Sequence, residues 1–328
     1  MRRIGFAVVL AVMCLVPRGA EAQPHAAPWK IGVLWEVREA NPRVVHLVDW
    51  LREDLKAQGF NDRDLHFDVR QVEGLGGLPD AAKELIRVQP HLIWTSTANV
   101  AIAVSTEIRN VPVVFGVSSD PVRFGLVKGW AKPGGNMTGV AINEVLLNGK
   151  RLEILKEFIP GLRRVMVMPD PEYDSTPMLR LSDLRGAAGR LGLTLVEHSV
   201  QTKTDIEQLP GIIRKERVDG ILHIANKTVN QHLAETIKAV HLTRVPDINY
   251  YLPAVENRWS MSAYAASHRE AFRMSARLVG RILRGAKPED LPVESADVYE
   301  LHIHLGIAKE RGVQIPQTML MRANKTFE

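Results

Sequence analysis

The sequence has a single cysteine, Cys14, among its 328 residues. It lies in an opening segment where a basic start precedes a thirteen-residue apolar run (residues 4–16) and the small-x-small triplet Ala20–Ala22. This order predicts a secretory signal peptide, residues 1–22, cleaved before Gln23, and therefore an exported, periplasmic-type protein. The predicted mature chain has no thiol, which excludes disulfides and cysteine metal ligands.

Long hydrophobic runs and segments rich in charge of a single sign are also absent from the sequence. A membrane-spanning helix needs roughly 20 apolar residues, so the opening run is too short to favour an N-terminal anchor. The formal charge is +5, from 42 basic and 37 acidic residues; without the predicted leader, 39 basic and 36 acidic residues remain. Both signs are interspersed and no basic stripe carries interleaved aromatics, so nucleic acid is not an expected partner.

Motifs of common catalytic chemistry are absent. No Gly-x-Ser-x-Gly nucleophile motif occurs, and the glycine-rich stretch 131–140 lacks the Gly-Lys-Ser/Thr of a phosphate loop and leads into a strand. Residues 74–77 (GLGG) lack the spaced third glycine of a dinucleotide fingerprint. His302 and His304 have no further ligand at metal-site spacing, and a solvated strand face is the simpler interpretation. We therefore expect no enzyme activity, no metal and no cofactor.

Short apolar runs alternate with amphipathic stretches along the whole chain. The alternation starts at residues 30–35 and restarts after the stretch 118–140, which gives two units of roughly 110 residues. Such a pattern predicts an α/β fold with mainly parallel sheets and helices on both faces. With 45% hydrophobic residues, the chain is long enough to build two cores. The tail returns to the earlier units, so crossovers between two lobes are expected, with a cleft and hinges between them.

Ligands of open parallel sheets bind beyond the carboxyl ends of the strands, where helix N-termini direct N–H groups outward. This rule, the placement of aromatic side chains and the family resemblance described below select one set of candidate ligand-binding residues: Trp35, Glu36, Ser96, Thr97, Ala98, Ser119, Asp120, Asn143, Tyr173, Asn226, Thr228, Tyr250 and Tyr264. The aromatic members would favour a flat or apolar ligand body, although each is equally compatible with an ordinary core position.

Residues at two of these strand ends suggest recognition of charge. Ser96 and Thr97 precede a predicted helix, so a hydroxyl there either caps the helix or, together with the helical N–H groups, holds a carboxylate. Asp120 before Pro121 matches the preference for an acceptor at the N-cap and proline at the next position. An ionised aspartate at a strand end would also attract an ammonium group. Thr97 with Asp120 would then bind a zwitterion, and capping alone is the alternative.

Several longer motifs are spread over essentially the whole predicted mature chain. They are SDP (Ser119–Pro121), GLV (Gly125–Val127), KPGGNMTG (Lys132–Gly139), KRLEILKEFIPGLRRV (Lys150–Val165), ILRGAKPEDLPVE (Ile282–Glu294) and the Ala-x-x-x-Gly-x-x-Ile-Pro pattern of Ala308–Pro316. Together they resemble the exported substrate-binding proteins of ABC transporters, in the branch that includes tryptophan- and tyrosine-type binders.

The resemblance implies a fold of the periplasmic-binding-protein type I class, with two doubly wound parallel-sheet lobes joined by three hinge crossings. The first lobe would comprise residues 23–140 plus about 252–290, and the second 141–251 plus about 291–328. The function implied is that of a monomeric receptor that closes over one small molecule, an amino acid being one candidate, and delivers it to membrane permease subunits. A sensory binding protein without transport and an exported enzyme using the same cleft are the alternatives.

Departures from the family pattern leave the ligand open. The resemblance places Ser96, Thr97, Ser119, Asp120 and Asn226 at the cleft. However, Thr97 is followed by alanine where relatives often have proline. The stretch WSMSAYA, residues 259–265, keeps the tyrosine but lacks the two glycines that are common there. The identity of the ligand is therefore not carried over.

Overall fold

The computed structural model describes residues 28–37, 46–74, 76–118, 120–142, 144–169 and 181–328. The predicted signal peptide lies outside these residues, as do three predicted ligand contacts, Ser119, Asn143 and Tyr173. Within the described ranges, no helix is both long enough and apolar enough for a bilayer crossing.

Strands and helices alternate along most of the chain. The strands are β1 Trp29–Val37, β2 Leu65–Glu73, β3 Leu92–Thr95, β4 Val113–Ser118, β5 Met137–Ala141, β6 Arg164–Val167, β7 Thr194–Glu197, β8 Gly220–Leu222, β9 Asp247–Asn249, β10 Ser262–Ala266, β11 Glu294–Ser295, β12 Tyr299–His304 and β13 Lys325–Phe327. The helices are α1 Leu47–Lys56, α2 Leu78–Arg87, α3 Ala98–Glu107, α4 Glu144–Phe158, α5 Leu181–Arg190, α6 Lys203–Lys215, α7 Lys227–Gln231, α8 Leu233–Thr243, α9 Pro253–Glu256, α10 His268–Leu283, α11 Leu305–Glu310 and α12 Gln317–Arg322.

The strands form two sheets. The first has the order β11-β5-β4-β3-β1-β2 and the second β13-β12-β10-β9-β8-β6-β7. All pairs of the first sheet are parallel, and in the second only the β10–β12 pair is antiparallel. Parallel neighbours need a crossover connection, usually a helix, which is why the periodicity alternates. The predicted architecture of two parallel-sheet α/β lobes is confirmed.

Each sheet is covered by helices on both faces. In β3, Ile93 packs in a cluster with α2 and α3, while its neighbour Trp94 packs with α1 and α10. The two side chains separate because successive residues of a strand point to opposite faces. In β6, Met166 likewise faces α6 and α8, whereas Val165 and Val167 face α4 and α5. Burial on both faces explains why these strands appear in the sequence as continuous apolar runs.

The chain passes three times between the sheets, after β5, after β10 and after β11. Two of these crossings differ from the predicted boundaries. Residues 262–266 pair with β9 and β12 in the second sheet, whereas the predicted first lobe included them. Residues 294–295 pair with β5 in the first sheet, although the prediction assigned the chain from about residue 291 onward to the second lobe. An apolar run predicts a strand but not its partner, because pairing depends on residues far away in the sequence.

Backbone hydrogen bonds join the crossing segments. Ser267 N donates to Val298 O (2.8 Å), which links the second crossing to the third, and Ala296 N donates to Ala141 O (2.8 Å), which links the third to the first. Tyr264, just before Ser267, packs against the main core clusters of both lobes. The two lobes are therefore connected by a hydrogen-bonded group of segments rather than by one linker.

Candidate functional site

The carboxyl edges of the two sheets adjoin at the crossings. Ser295 ends β11, which runs parallel to β5, and only three residues separate it from Tyr299 at the start of β12. Because β12 is antiparallel to β10, its start lies at the carboxyl edge of the second sheet. We use the name candidate cleft for the segments that follow β1, β3 and β4 in the first lobe and β6, β8 and β9 in the second. These are the positions where parallel sheets bind ligands.

Thr97 begins α3 at this edge without capping it. The residue has extended backbone angles (φ −136°, ψ 168°) and its carbonyl accepts the first helical hydrogen bond from Ala101 N (3.0 Å), but its side chain makes no capping hydrogen bond. Its side chain is exposed, while the preceding Ser96 is buried. The alternative of capping alone therefore does not describe Thr97. The first-turn N–H groups, including that of Ala98, keep the positive end of the helix dipole open to an anion.

Asp120 organises a turn rather than a helix. Its Oδ1 accepts a hydrogen bond from Arg123 N (3.1 Å), and its carbonyl accepts one from Phe124 N (3.1 Å). Residues 121–125 form turns and no helix follows the Asp-Pro pair. Asp120 is partly buried, and one carboxylate oxygen serves the turn. Its pairing with Thr97 around a zwitterion stays a prediction.

Asn226 has a different use from the one that the sequence predicted. The side chain is fully buried; its Oδ1 accepts from Val229 N (2.9 Å) and caps α7, while Nδ2 donates to Met168 O (3.1 Å) and Val200 O (3.2 Å). Thr228 Oγ1 similarly donates to Gln201 O (3.2 Å). In this structure Asn226 ties together the segments that follow β6, β7 and β8, instead of presenting its amide to a ligand.

The predicted aromatic residues are divided among several environments. Trp35 is 5% exposed and packs in the core of the first lobe; its Nε1 has no hydrogen-bond partner among the described residues. Glu36, which follows it, is partly buried. Tyr250 donates its hydroxyl hydrogen to Asn230 Oδ1 (3.0 Å). Tyr264 lies at the hinge, and its ring centroid is 5.9 Å from that of Tyr299.

Sequence reasoning missed an aromatic pair between the lobes. Tyr251 follows β9 in the second lobe, and His268 is the first residue of α10, which packs on the first sheet. Their ring centroids are 6.1 Å apart, and His268 lies 6.2 Å from Phe272 in turn. A tyrosine doublet at a strand end was visible in the sequence, but no local signal indicated that a helix from the other lobe would meet it.

The prediction of a solvated face for His302 and His304 is wrong. Both side chains are buried, because side chains of other elements cover their face of β12: the ring centroid of Phe327 in β13 lies 5.9 Å from that of His302 and 6.5 Å from that of His304. His302 Nε2 is 2.9 Å from Glu300 Oε2, and His304 Nδ1 accepts from Ile307 N at the start of α11. Burial lowers the pKa of both imidazoles and favours their neutral forms. The described part of the chain contains no group of three or more His, Cys, Asp or Glu that could hold a metal ion.

Comparison with known proteins gives consistent matches. The family model for ABC transporter substrate binding proteins matches residues 30–327. A tyrosine-binding protein of Clostridioides difficile (strain R20291) is 20% identical over 263 residues, which is 79% of this chain and 74% of that protein.

Solved structures extend the likeness to the fold. The ABC domain from Streptococcus pneumonia in complex with L-Trp superposes with a TM-score of 0.79 and 22% identity, over 92% of this chain and 100% of that one. The ligand-free, open structure of a substrate binding protein with adhesive properties from Clostridium difficile gives a TM-score of 0.73 and 21% identity, over 92% and 100%. The predicted periplasmic-binding-protein type I fold is confirmed.

Proposed function

Because the chain belongs to the family of ABC transporter substrate-binding proteins, we propose that it binds a small amino acid-like solute between its two lobes and delivers it to a membrane permease. The ligand class we favour is an aromatic amino acid. Relatives of this chain are described as a tyrosine-binding protein and as a domain in complex with L-Trp, which supports this class without naming one ligand.

The observation that carries the proposal is the N-terminus of α3. This ten-residue helix begins at the carboxyl edge of the first sheet, and the exposed Thr97 leaves its first turn without a side-chain cap. The helices α6, α7 and α10 are each capped by a side chain, that of Thr202, Asn226 and Ser267 respectively. The helices α1 and α2 also lack a side-chain cap, but their N-cap residues, His46 and Gly77, have no hydroxyl group. Helical N–H groups with a hydroxyl beside them suit a carboxylate. An amino acid supplies that group.

Ligand binding of this kind would change the conformation of the protein by closing the two lobes. A ligand shifts the balance between open and closed states only by the contacts that it makes better in one of them. A ligand whose carboxylate binds the first lobe and whose side chain binds the second stabilises the closed state. Tyr251 and His268 lie where the lobes meet and offer rings for a flat ligand body. Export follows in this proposal from the predicted signal peptide.

Thermal-shift measurements on the mature protein, residues 23–328, test the ligand class. The compounds are L-tryptophan, L-tyrosine, the amines that lack the carboxylate (tryptamine and tyramine), and the acids that lack the amine. A ligand at about 100 times its dissociation constant adds about 2.7 kcal/mol to the free energy of unfolding. We expect a shift with an intact amino acid and none with the matching amine. Equal shifts with amine and amino acid would contradict carboxylate recognition.

Two variants separate binding from capping. Thr97→Val should weaken the binding of that amino acid by roughly tenfold, the value of a hydrogen bond to a charged group, with stability changed by less than about 0.5 kcal/mol. Ser267→Ala removes a hydroxyl that does cap a helix, accepting from Glu270 N (3.4 Å), and should lower stability by about 1 kcal/mol. Unchanged affinity in Thr97→Val would remove the α3 N-terminus from the site.

A further inference from the structure

The second lobe contains a cavity away from the candidate cleft. Its volume is about 360 Å³ and its lining residues are His241, Arg244, Ile307, Glu310 and Arg311. Arg244 is the C-cap residue that follows α8, and it directly precedes the segment that leads into β9. The cavity therefore lies at the amino edge of the second sheet, whereas the candidate cleft lies at the carboxyl edge.

Arg311 is a buried cation at this cavity with an unsatisfied donor. Its side chain is 3% exposed, and Nη1 pairs with Asp247 Oδ1. The carboxylate of Asp247 also contacts His223 Nε2 (2.9 Å) and accepts from Met261 N (2.7 Å), so it is shared among three donors or contacts. Arg311 Nη2 has no hydrogen-bond partner among the described residues. A buried charged donor without an acceptor lowers stability, and an acceptor that reaches it recovers that loss.

Two guanidinium groups and one carboxylate line the cavity. Glu310, its one acidic lining residue, is paired with Arg258 (Nη2 to Oε1, 2.8 Å). Arg244 has a left-handed backbone (φ 56°) and an exposed side chain, and it forms no ion pair with the described part of the chain. His241 lines the same wall, and its Nε2 atom lies 3.3 Å from Trp259 O. Arg258 also donates to Glu328 O (3.4 Å), so its charge is shared with an acidic residue outside the lining, and Arg244 is the lining guanidinium without an ion pair in the described part of the chain.

We propose that this cavity, here named the distal anion site (His241, Arg244, Ile307, Glu310 and Arg311), binds the carboxylate or phosphate group of a small molecule. Guanidinium groups match the geometry of such oxyanions and bind them through paired N–H donors. Arg244 lies at the exposed side of the cavity. The unpaired Nη2 of Arg311 is buried in this structure and becomes a donor to the anion once the Arg311 side chain shifts toward the cavity, while Ile307 contacts the apolar part. The volume is within the range of small-molecule pockets.

Calorimetric titration of the mature protein tests this site. The probes are inorganic phosphate and succinate, each compared with sodium chloride at the same ionic strength, so that general screening is subtracted. We expect saturable binding of at least one probe, with phosphate and succinate distinguishing a phosphate from a carboxylate ligand. Absence of saturable binding by both would overturn the proposal.

Arginine variants locate the binding. Arg244→Gln should weaken the affinity by roughly tenfold or more, as expected for a lost charge-assisted hydrogen bond. Arg217→Gln is the matched control, since Arg217 is also exposed and left-handed (φ 51°) and lies just beyond the C-cap residue, Glu216, of a helix of the same lobe, α6. It should stay within about twofold of the wild type. Equal losses in both variants would indicate net charge alone and overturn the site.

Arg311→Lys provides the second readout. The lysine keeps a charge beside Asp247 but cannot offer the second nitrogen of a guanidinium fork. With folding verified by circular dichroism, we expect weaker probe binding than in the wild type. Wild-type affinity in a folded Arg311→Lys protein would remove Arg311 from the site.

Discussion

Asp247 is a buried residue whose carboxyl group is kept ionised by its neighbours. Burial by itself would raise the pKa of its carboxyl group, but the charge of Arg311 and the hydrogen bonds from His223 and Met261 N outweigh burial and lower that pKa to about 2. The carboxylate thus remains ionised inside the second lobe. Ion pairs of this kind are costly to disrupt on one side only, because the remaining charge is left buried.

A prediction for stability follows from Asp247. Its folded pKa lies below the unfolded value of 3.8, so the ionised group stabilises the fold fully above that value, and the stabilisation is lost as the pH falls from about 4 to about 2. Asp247→Asn should lower the free energy of unfolding by about 3–5 kcal/mol at pH 7 and flatten its dependence on pH below 4. Urea unfolding at pH 7 and pH 3 measures both effects.

Asp183→Asn is the control for this change, because Asp183 is exposed in the first turn of α5. It should alter stability by less than about 1 kcal/mol. A comparable loss in the two variants, or a loss below about 1 kcal/mol for Asp247→Asn, would contradict the role assigned to the buried pair.

At the scale of elements, the glycine-rich motif of residues 132–139 is a packing device. Gly134 has φ +68°, and Asn136 Nδ2 donates to Ile108 O (3.2 Å) and Val111 O (2.7 Å). Thr138 Oγ1 donates to Leu291 O (2.8 Å), so β5 is tied to the segment that leads into β11. Two motifs whose bonded residues, Thr138 and Leu291, are 153 residues apart in the sequence therefore meet at one sheet edge.

Gly139 provides the prediction at this scale. A Cβ there would overlap the carbonyl oxygen and the ring of Phe115 in the neighbouring strand β4, and backbone cannot move aside cheaply. Gly139→Ala should therefore destabilise the protein by about 3 kcal/mol or more in urea unfolding. Gly135→Ala, in the same loop, meets no atom within 4 Å and should change stability by less than about 1 kcal/mol. Similar values for the two variants would show that close strand packing is not the reason for the glycine.

In the proposed function, closure of the two lobes is the property of the whole molecule that accompanies ligand binding. Because the predicted mature chain has no cysteine, Lys83→Cys in the first lobe and Lys215→Cys in the second allow specific attachment of two fluorophores at exposed positions. An amino acid that stabilises the protein should shorten the distance between the dyes, with a transfer efficiency that saturates with the same dissociation constant. D-amino acids without a thermal shift serve as the control. Tight binding with unchanged transfer efficiency would contradict closure.

Much of the fold could be predicted from local patterns. Hydrophobic periodicity depends on neighbouring residues, so strands such as β3 and helices such as α10 were visible in the sequence, and their alternation implied parallel sheets. The sheet to which β10 and β11 belong was not visible in the sequence, because a strand pairs with partners distant in the chain. The same limit explains His302 and His304, for which a solvated strand face was expected: the side chain of Phe327 that packs on both rings comes from β13, and no local pattern indicated that contact.

The sequence by itself determined the two-lobe α/β architecture, the family, and the set of strand ends where a ligand would bind. Only the tertiary structure decided what each strand-end residue does. Thr97 and Asn226 are both short polar residues at a strand–helix junction, yet Thr97 leaves its helix uncapped while Asn226 caps its own and joins two further loops. The physical reason is that a polar side chain bonds to whichever groups the fold brings within about 3 Å, and those groups come from distant parts of the chain.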